Sequence, residues 1–199
     1  MPSSAFLVTV VMAVVLVGCS KPTEDSQPMA AADGMKPAAA HGTSGGTAEL
    51  KYTAPPDWIS EKPTSSMRQA QFRLPRVEGD PEDGELVVFY FQGGGGGVQA
   101  NIERWIGQFS KADGSPANDI AKTTHKVSHG IPITVVDVSG TYMAGSMGMG
   151  GESKSKPGFR MLAAVAEAHN GPWFFKLTGP ARTIGKWETS FQGFLDTIQ

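Results

Sequence analysis

The sequence predicts an α+β domain: an antiparallel sheet of five to six strands flanked by two amphipathic helices. Three observations point there. One run, Glu85 to Gln92 (ELVVFYFQ), is aromatic, β-branched and apolar on both faces, as a central strand requires. Two pairs of apolar runs meet at His129-Gly130 and Asn170-Gly171, which are hairpin signals. Two segments place their apolar residues at helical spacing.

In chain order, Met67 to Leu74 reads as a strand ended by Pro75. The breakers of Gly79-Asp80-Pro81-Glu82-Asp83-Gly84 separate it from the ELVVFYFQ strand. After the glycines 93–97 the period changes. Val98, Ile102, Trp105, Ile106 and Phe109 fall on one helical face, and the helix is expected to end before Asp113-Gly114. Ile120 to Ser128 pairs with Ile131 to Tyr142, and Phe159 to Ala168 with Trp173 to Thr178. Met143 to Gly158 reads as a long Gly/Met/Ser/Lys loop between the two pairs. Gly179 and Pro180 suit the start of a last helix, whose apolar face is Ile184, Trp187, Phe191, Phe194, Leu195 and Ile198. Gly185 and Gly193 weaken that helix by about 1 kcal/mol each relative to Ala, so packing must hold it.

The chain of 199 residues divides into three parts: a signal peptide (1–18), a lipidated tether (19–49) and a single domain (50–199). Ala5 to Val17 is apolar except for Thr9. As a helix, ~13 residues span about 20 Å, which is short of the hydrocarbon core and suits the h-region of an export signal. Leu16-Val17-Gly18-Cys19 resembles the bacterial lipobox, which implies cleavage before Cys19 and its acylation. Two or more acyl chains anchor stably, at roughly 0.8 kcal/mol per buried CH₂. Unlike most leaders, Met1 to Ser4 carries no Lys or Arg. Ser20 follows the cysteine, a non-Asp residue that loosely resembles the outer-membrane sorting pattern and implies a periplasm-facing domain. From Ser20 to about Ala48 the only large apolar residues are Met29 and Met35, too few to offset ordering entropy. Such a tether has an r.m.s. reach of about 30 Å.

Composition excludes several functions. With 17 Lys+Arg against 19 Asp+Glu the net charge is -2, which argues against nucleic-acid binding by bulk charge. The single cysteine leaves no internal disulfide and no Cys-based zinc cluster. Trp58, Trp105, Trp173 and Trp187 read as packing residues.

Candidate chemistry is sparse. Gly95-Gly96-Gly97-Val98-Gln99-Ala100 matches G-x-G-x-x-A between a strand and a helix, but the later strands read as hairpins rather than βαβ units, so a plain connection is expected. Gly42-Thr43-Ser44-Gly45-Gly46 matches G-x-S-x-G inside the tether, without the strand and helix a nucleophile elbow needs. His125 and His129 lie on a strand, roughly 13 Å apart and too far to share an ion, and His41 and His169 are isolated. Asp80, Glu82, Asp83 and Glu85 are hard oxygen donors for Ca²⁺, but their spacing is not that of an EF-hand, and a solvated turn is expected. In the 143–158 loop, Met143, Met147 and Met149 offer soft sulfur or an adaptable surface beside Lys154 and Lys156, making these five the expected contact residues.

A family resemblance is carried by four features: the strand into Leu74-Pro75, ELVVFYF, Arg104-Trp105-Ile106-Gly107-Gln108-Phe109, and Trp173-Phe174-Phe175-Lys176-Leu177-Thr178-Gly179-Pro180 followed by Trp187 and Phe191 to Ile198. Over about 70–199 the chain resembles the PsbP-like (PsbP/Mog-type) α/β sandwich and uncharacterised envelope lipoproteins with similar R-W-I-x-Q-F and F-F-K-L-T-G-P segments. The resemblance implies a mostly non-enzymatic binding or accessory role, with no cofactor and no catalytic residue. The expected function is therefore a membrane-anchored, non-catalytic module of the cell envelope that meets an envelope protein or small ligand. The alternatives are a ligand or metal carrier using 143–158 or the acidic turn 80–85, and a hydrolase of envelope polymers.

Overall fold

The computed structural model describes residues 50–91, 94–145 and 154–199. The expected signal peptide, Cys19, the tether with Gly42–Gly46 and His41, and Met147 and Met149 lie outside the described residues. Among the described residues no helix is long and apolar enough to cross a membrane.

The chain folds in the order β1 (Ile59–Glu61), β2 (Arg68–Leu74), β3 (Gly84–Tyr90), α1 (Val98–Ile106), β4 (Phe109–Ser110), β5 (Lys122–Ser128), β6 (Ile131–Ala144), β7 (Lys154–Ala168), β8 (Gly171–Pro180) and α2 (Ala181–Asp196). The strands form one antiparallel sheet, ordered β1-β2-β3-β8-β7-β6-β4, with β5 also on β6. The class is the expected α+β, but eight strands replace the expected five to six. The two unforeseen strands hold three and two residues, too few to show a period of two.

Three boundaries differ most from expectation. α1 stops at Ile106, and Phe109 sits instead in β4, paired with Tyr142, although it still packs with Ile102 and Trp105. Gly179 and Pro180 end β8, and Pro180 stands at the cap position of the last helix, one residue short of its expected place in the first turn. The 143–158 loop is much shorter: Met143 pairs with Ser155, Ala144 with Lys154 and Tyr142 with Lys156, so only 145–153 lie between β6 and β7.

Alternation along each strand splits the side chains between two faces. One face carries Leu74, Leu86, Val88, Leu162, Ala164, Phe175 and Leu177, covered by Ile184, Trp187, Phe191, Phe194 and Leu195 of α2. Residues 50–58 extend this cover. Tyr52 and Trp58 set their rings 5.3 and 5.1 Å from that of Phe194. The backbones of Lys51 and Gln199 exchange two 2.9 Å hydrogen bonds. Arg160 ties α2 to the sheet by donating to both carboxylate oxygens of Asp137 and to Glu188, each at 2.8 Å.

α2 has no cap of its own at Pro180. Asp80 caps it from the β2–β3 turn, its Oδ2 accepting from the Thr183 amide at 3.0 Å and the Thr183 hydroxyl at 2.6 Å. This satisfies an orphan amide and sets negative charge at the positive helix end.

On the opposite face α1 covers Val136, Val138, Met161, Ala163, Val165 and Phe174. Nine residues cover only the half nearest β6. Toward β1 the same face carries polar side chains.

Candidate functional site

Cross-strand register builds this polar half-face. One row of opposed residues runs Glu61, Gln71, Val87, Lys176, Ala163 and Val136; the next runs Arg73, Glu85, Thr178, Met161 and Val138. In each row the half under α1 is apolar and the half beyond it is mostly polar. Arg68 reaches the same face, donating at 2.8 Å to both Glu85 and Gln71. Arg73 bridges Glu61 at 2.9 Å and Asp83 at 3.0 Å. The outer part is thus an ion-paired lattice.

Lys176 is different. It stands at the centre of the sheet, partly buried at the edge of the α1 cover. Its ammonium donates to Gln108 Oε1 at 2.5 Å and Tyr142 Oη at 3.3 Å, and lies 5.2 Å from the Tyr142 ring centre. Both partners are neutral, and no carboxylate pairs with it among the described residues. Burial, and then the nearby Arg104 guanidinium, lower its pKa to about 8. Burial likewise pushes the Tyr142 hydroxyl above its usual range.

The two partners of Lys176 are delivered together. Met143 N–H donates to the Gln108 carbonyl at 2.8 Å, and Phe109 pairs with Tyr142, so the short β4 fixes Gln108 beside Tyr142. The approach needs Gly140, where a Cβ would stand 2.3 Å from the Ser110 carbonyl oxygen. Arg104 is steadied from the glycine loop. Buried Asn101 donates to the carbonyls of Gly95 at 2.7 Å and Gly97 at 3.0 Å, and its Oδ1 accepts from Arg104. Asn101 thus ties the glycine-rich connection to α1 through carbonyl groups.

The residues singled out from sequence are dispersed. The acidic turn splits its carboxylates: Asp80 caps α2, Glu82 takes Lys156 at 2.5 Å, Asp83 takes Arg73 and the Arg76 amide, and Glu85 takes Arg68. Met143, Lys154 and Lys156 belong to the β6–β7 hairpin, with Lys156 also 5.1 Å from the centre of the Phe159 ring. His125 Nδ1 meets Thr134 Oγ1 and His129 Nδ1 meets the Ile198 carbonyl, so the two serve separate contacts. An open groove beside α2 is lined by Asp57, Pro75, Lys186, Trp187, Thr189 and Ser190, and Trp187 donates to the Pro75 carbonyl at 2.9 Å.

Sequence reasoning did not select Lys176, Gln108, Tyr142 or Arg104 as site residues. A signal was available. Lys176 is the only charged residue in Trp173 to Thr178, and a lysine on a central strand is rarely left without a partner. Arg104 and Gln108 belong to the R-W-I-G-Q-F segment and Lys176 to F-F-K-L-T-G-P, so the two segments meet in space.

No protein-family model matches the chain, and no curated protein matches it. Among solved structures, it is similar to PA94, a protein of unknown function from Pseudomonas aeruginosa, at 12% identity and a TM-score of 0.44, covering 71% of this chain and 96% of that one. It is also similar to the cyanobacterial PsbP (CyanoP) of Synechocystis sp. PCC 6803, at 15% identity and a TM-score of 0.43, covering 80% of this chain and 98% of that one.

Proposed function

We propose that the protein is an exported lipoprotein anchored through Cys19 and facing the periplasm from the outer membrane. Its 50–199 domain acts as a non-catalytic binding or accessory module of PsbP-like type. The surface that binds is the polar half-face beside α1. One observation carries the choice of surface: among the described residues, α2 and residues 50–58 cover the sheet on one side, whereas α1 covers half of the other. The leader and the lipobox-like tetrapeptide support the anchor.

The anchor is tested by palmitate labelling of the full chain. Label should enter the wild type and be lost in Cys19→Ser; label that survives the substitution overturns it. The surface is tested by a photo-crosslinking residue placed at Thr178 on the half-face or at exposed Thr189 on α2. A discrete adduct should form from Thr178 and not from Thr189. Equal adducts from both positions overturn the choice of surface.

A further inference from the structure

We infer that the polar half-face, read as the binding surface above, contains an oxyanion site. A carboxylate or phosphate group of a small ligand docks between the Lys176 ammonium and the Arg104 guanidinium, with the Tyr142 hydroxyl as a third donor.

The donor count leads there. An ammonium has three N–H groups, and among the described residues Lys176 has two acceptors, Gln108 and Tyr142. The Tyr142 oxygen accepts from Lys176, which leaves its own hydrogen to donate. Arg104 has a bond to Asn101 Oδ1 and no carboxylate among the described residues. Its planar fork matches a carboxylate or phosphate edge.

The charge count agrees. Arg68, Arg104 and Lys176 face this region, and Glu85 answers Arg68 at 2.8 Å. Among the described residues two of these three cations therefore have no ion-pair partner, Glu85 acting on Lys176 only from beyond ion-pair distance, and one of the two is partly buried. A buried charge without a counter-charge is unfavourable, and a bound oxyanion removes the imbalance. The neighbouring carboxylates are engaged elsewhere: Glu61 and Asp83 hold Arg73, and Glu82 holds Lys156. The site is also held in shape, with Gln108 and Tyr142 fixed by β4 and Arg104 by Asn101. Preorganised donors bind at lower entropic cost.

Binding should depend on pH. The groups around Lys176 are Arg68 from β2, Glu85 from β3, Arg104 from α1 and Tyr142 from β6. Tyr142 is held protonated by burial. Lys176 changes charge about pH 8. A bound anion favours its charged form, so affinity falls as pH rises.

The test is an NMR titration of the full chain in detergent, with acetate or dimethyl phosphate against chloride at equal ionic strength. Both probes stay singly charged from pH 7 to 9. Resonances of Lys176 and Arg104 should shift saturably with at least one probe, and the probe that saturates identifies the ligand as carboxylate or phosphate. Affinity should drop about tenfold from pH 7 to pH 9, as a free-state pKa of about 8 requires. Lys176→Met should weaken binding tenfold or more, Arg104→Gln about fivefold, and Lys186→Met not at all. Shifts that stay linear for both probes overturn the site, as do saturable shifts indifferent to Lys176→Met and Arg104→Gln. Linear shifts with an intact Thr178 adduct overturn the oxyanion site alone. Saturable binding with equal Thr178 and Thr189 adducts overturns the wider choice of surface alone.

Discussion

The two faces of the sheet use the same strands for opposite ends. On the α2 face, Phe194 meets Tyr52, Trp58, Phe175 and Phe191, with ring centres 5.1 to 6.4 Å apart. On the α1 face, the rows that begin apolar under Trp105 become polar at Lys176 and Glu85. The difference originates in cover length, 16 helical residues against nine. Where cover stops, alternation brings polar residues to the surface, and a charge at the boundary meets both burial and solvent. On the proposed function, stability and recognition are thereby assigned to different faces.

That division is open to attack in decreasing order of effect. Phe194→Ala removes the shared ring of the α2 face and should cost about 3–5 kcal/mol in urea unfolding. Thr178→Ala on the half-face should stay within about 0.5 kcal/mol. Comparable losses from both would erase the contrast.

Lys176 gives a second, pH-dependent test. Its folded pKa, about 8, lies below its ordinary 10.5. The unfolded chain therefore binds more protons between those values, and stability contributed by this residue rises with pH across that window. Below pH 8 the full burial penalty is present. Wild type should gain roughly 2 kcal/mol relative to Lys176→Met between pH 7 and pH 10. A pH profile identical in the two proteins would show that the lysine is well solvated.

The smallest effect sharpens the α2 side. Asp80→Ala withdraws the remote cap and should cost about 1 kcal/mol, with faster amide exchange confined to the first turn of α2. Exchange that quickens equally in α1 would show that the two covers unfold as one.

Much of this division was legible in sequence. Composition and turn signals located β2, β3, β5, β6 and β8, and periodicity the buried face of α2, because each run is long enough to display them. β1 and β4 carry too few residues to do so. The first third of β7, Lys-Ser-Lys-Pro-Gly, is polar and reads as loop; it is a strand because β6 pairs with it. The Lys176 site was illegible for a different reason. Its residues come from β2, β3, α1, the α1–β4 turn, β6 and β8, separated by up to 108 positions between Arg68 and Lys176. Register and the β4 contact bring them together, and neither can be counted along a chain. The acidic turn illustrates the converse: four acids close in sequence are each drawn to different partners.

The Lys51–Gln199 backbone pair has a mechanical meaning. A pull applied at residue 50 loads those two hydrogen bonds first, then draws on the rings of Tyr52 and Trp58. Residues 50–58 would peel bond by bond before any strand of the sheet is sheared. Tension would thus bare one side of Phe194 and loosen α2 while the ladder from β2 to β7 stays paired, leaving the α1 face as it was. Residues 50–58 would then act as a mechanical fuse between a load at residue 50 and the sheet.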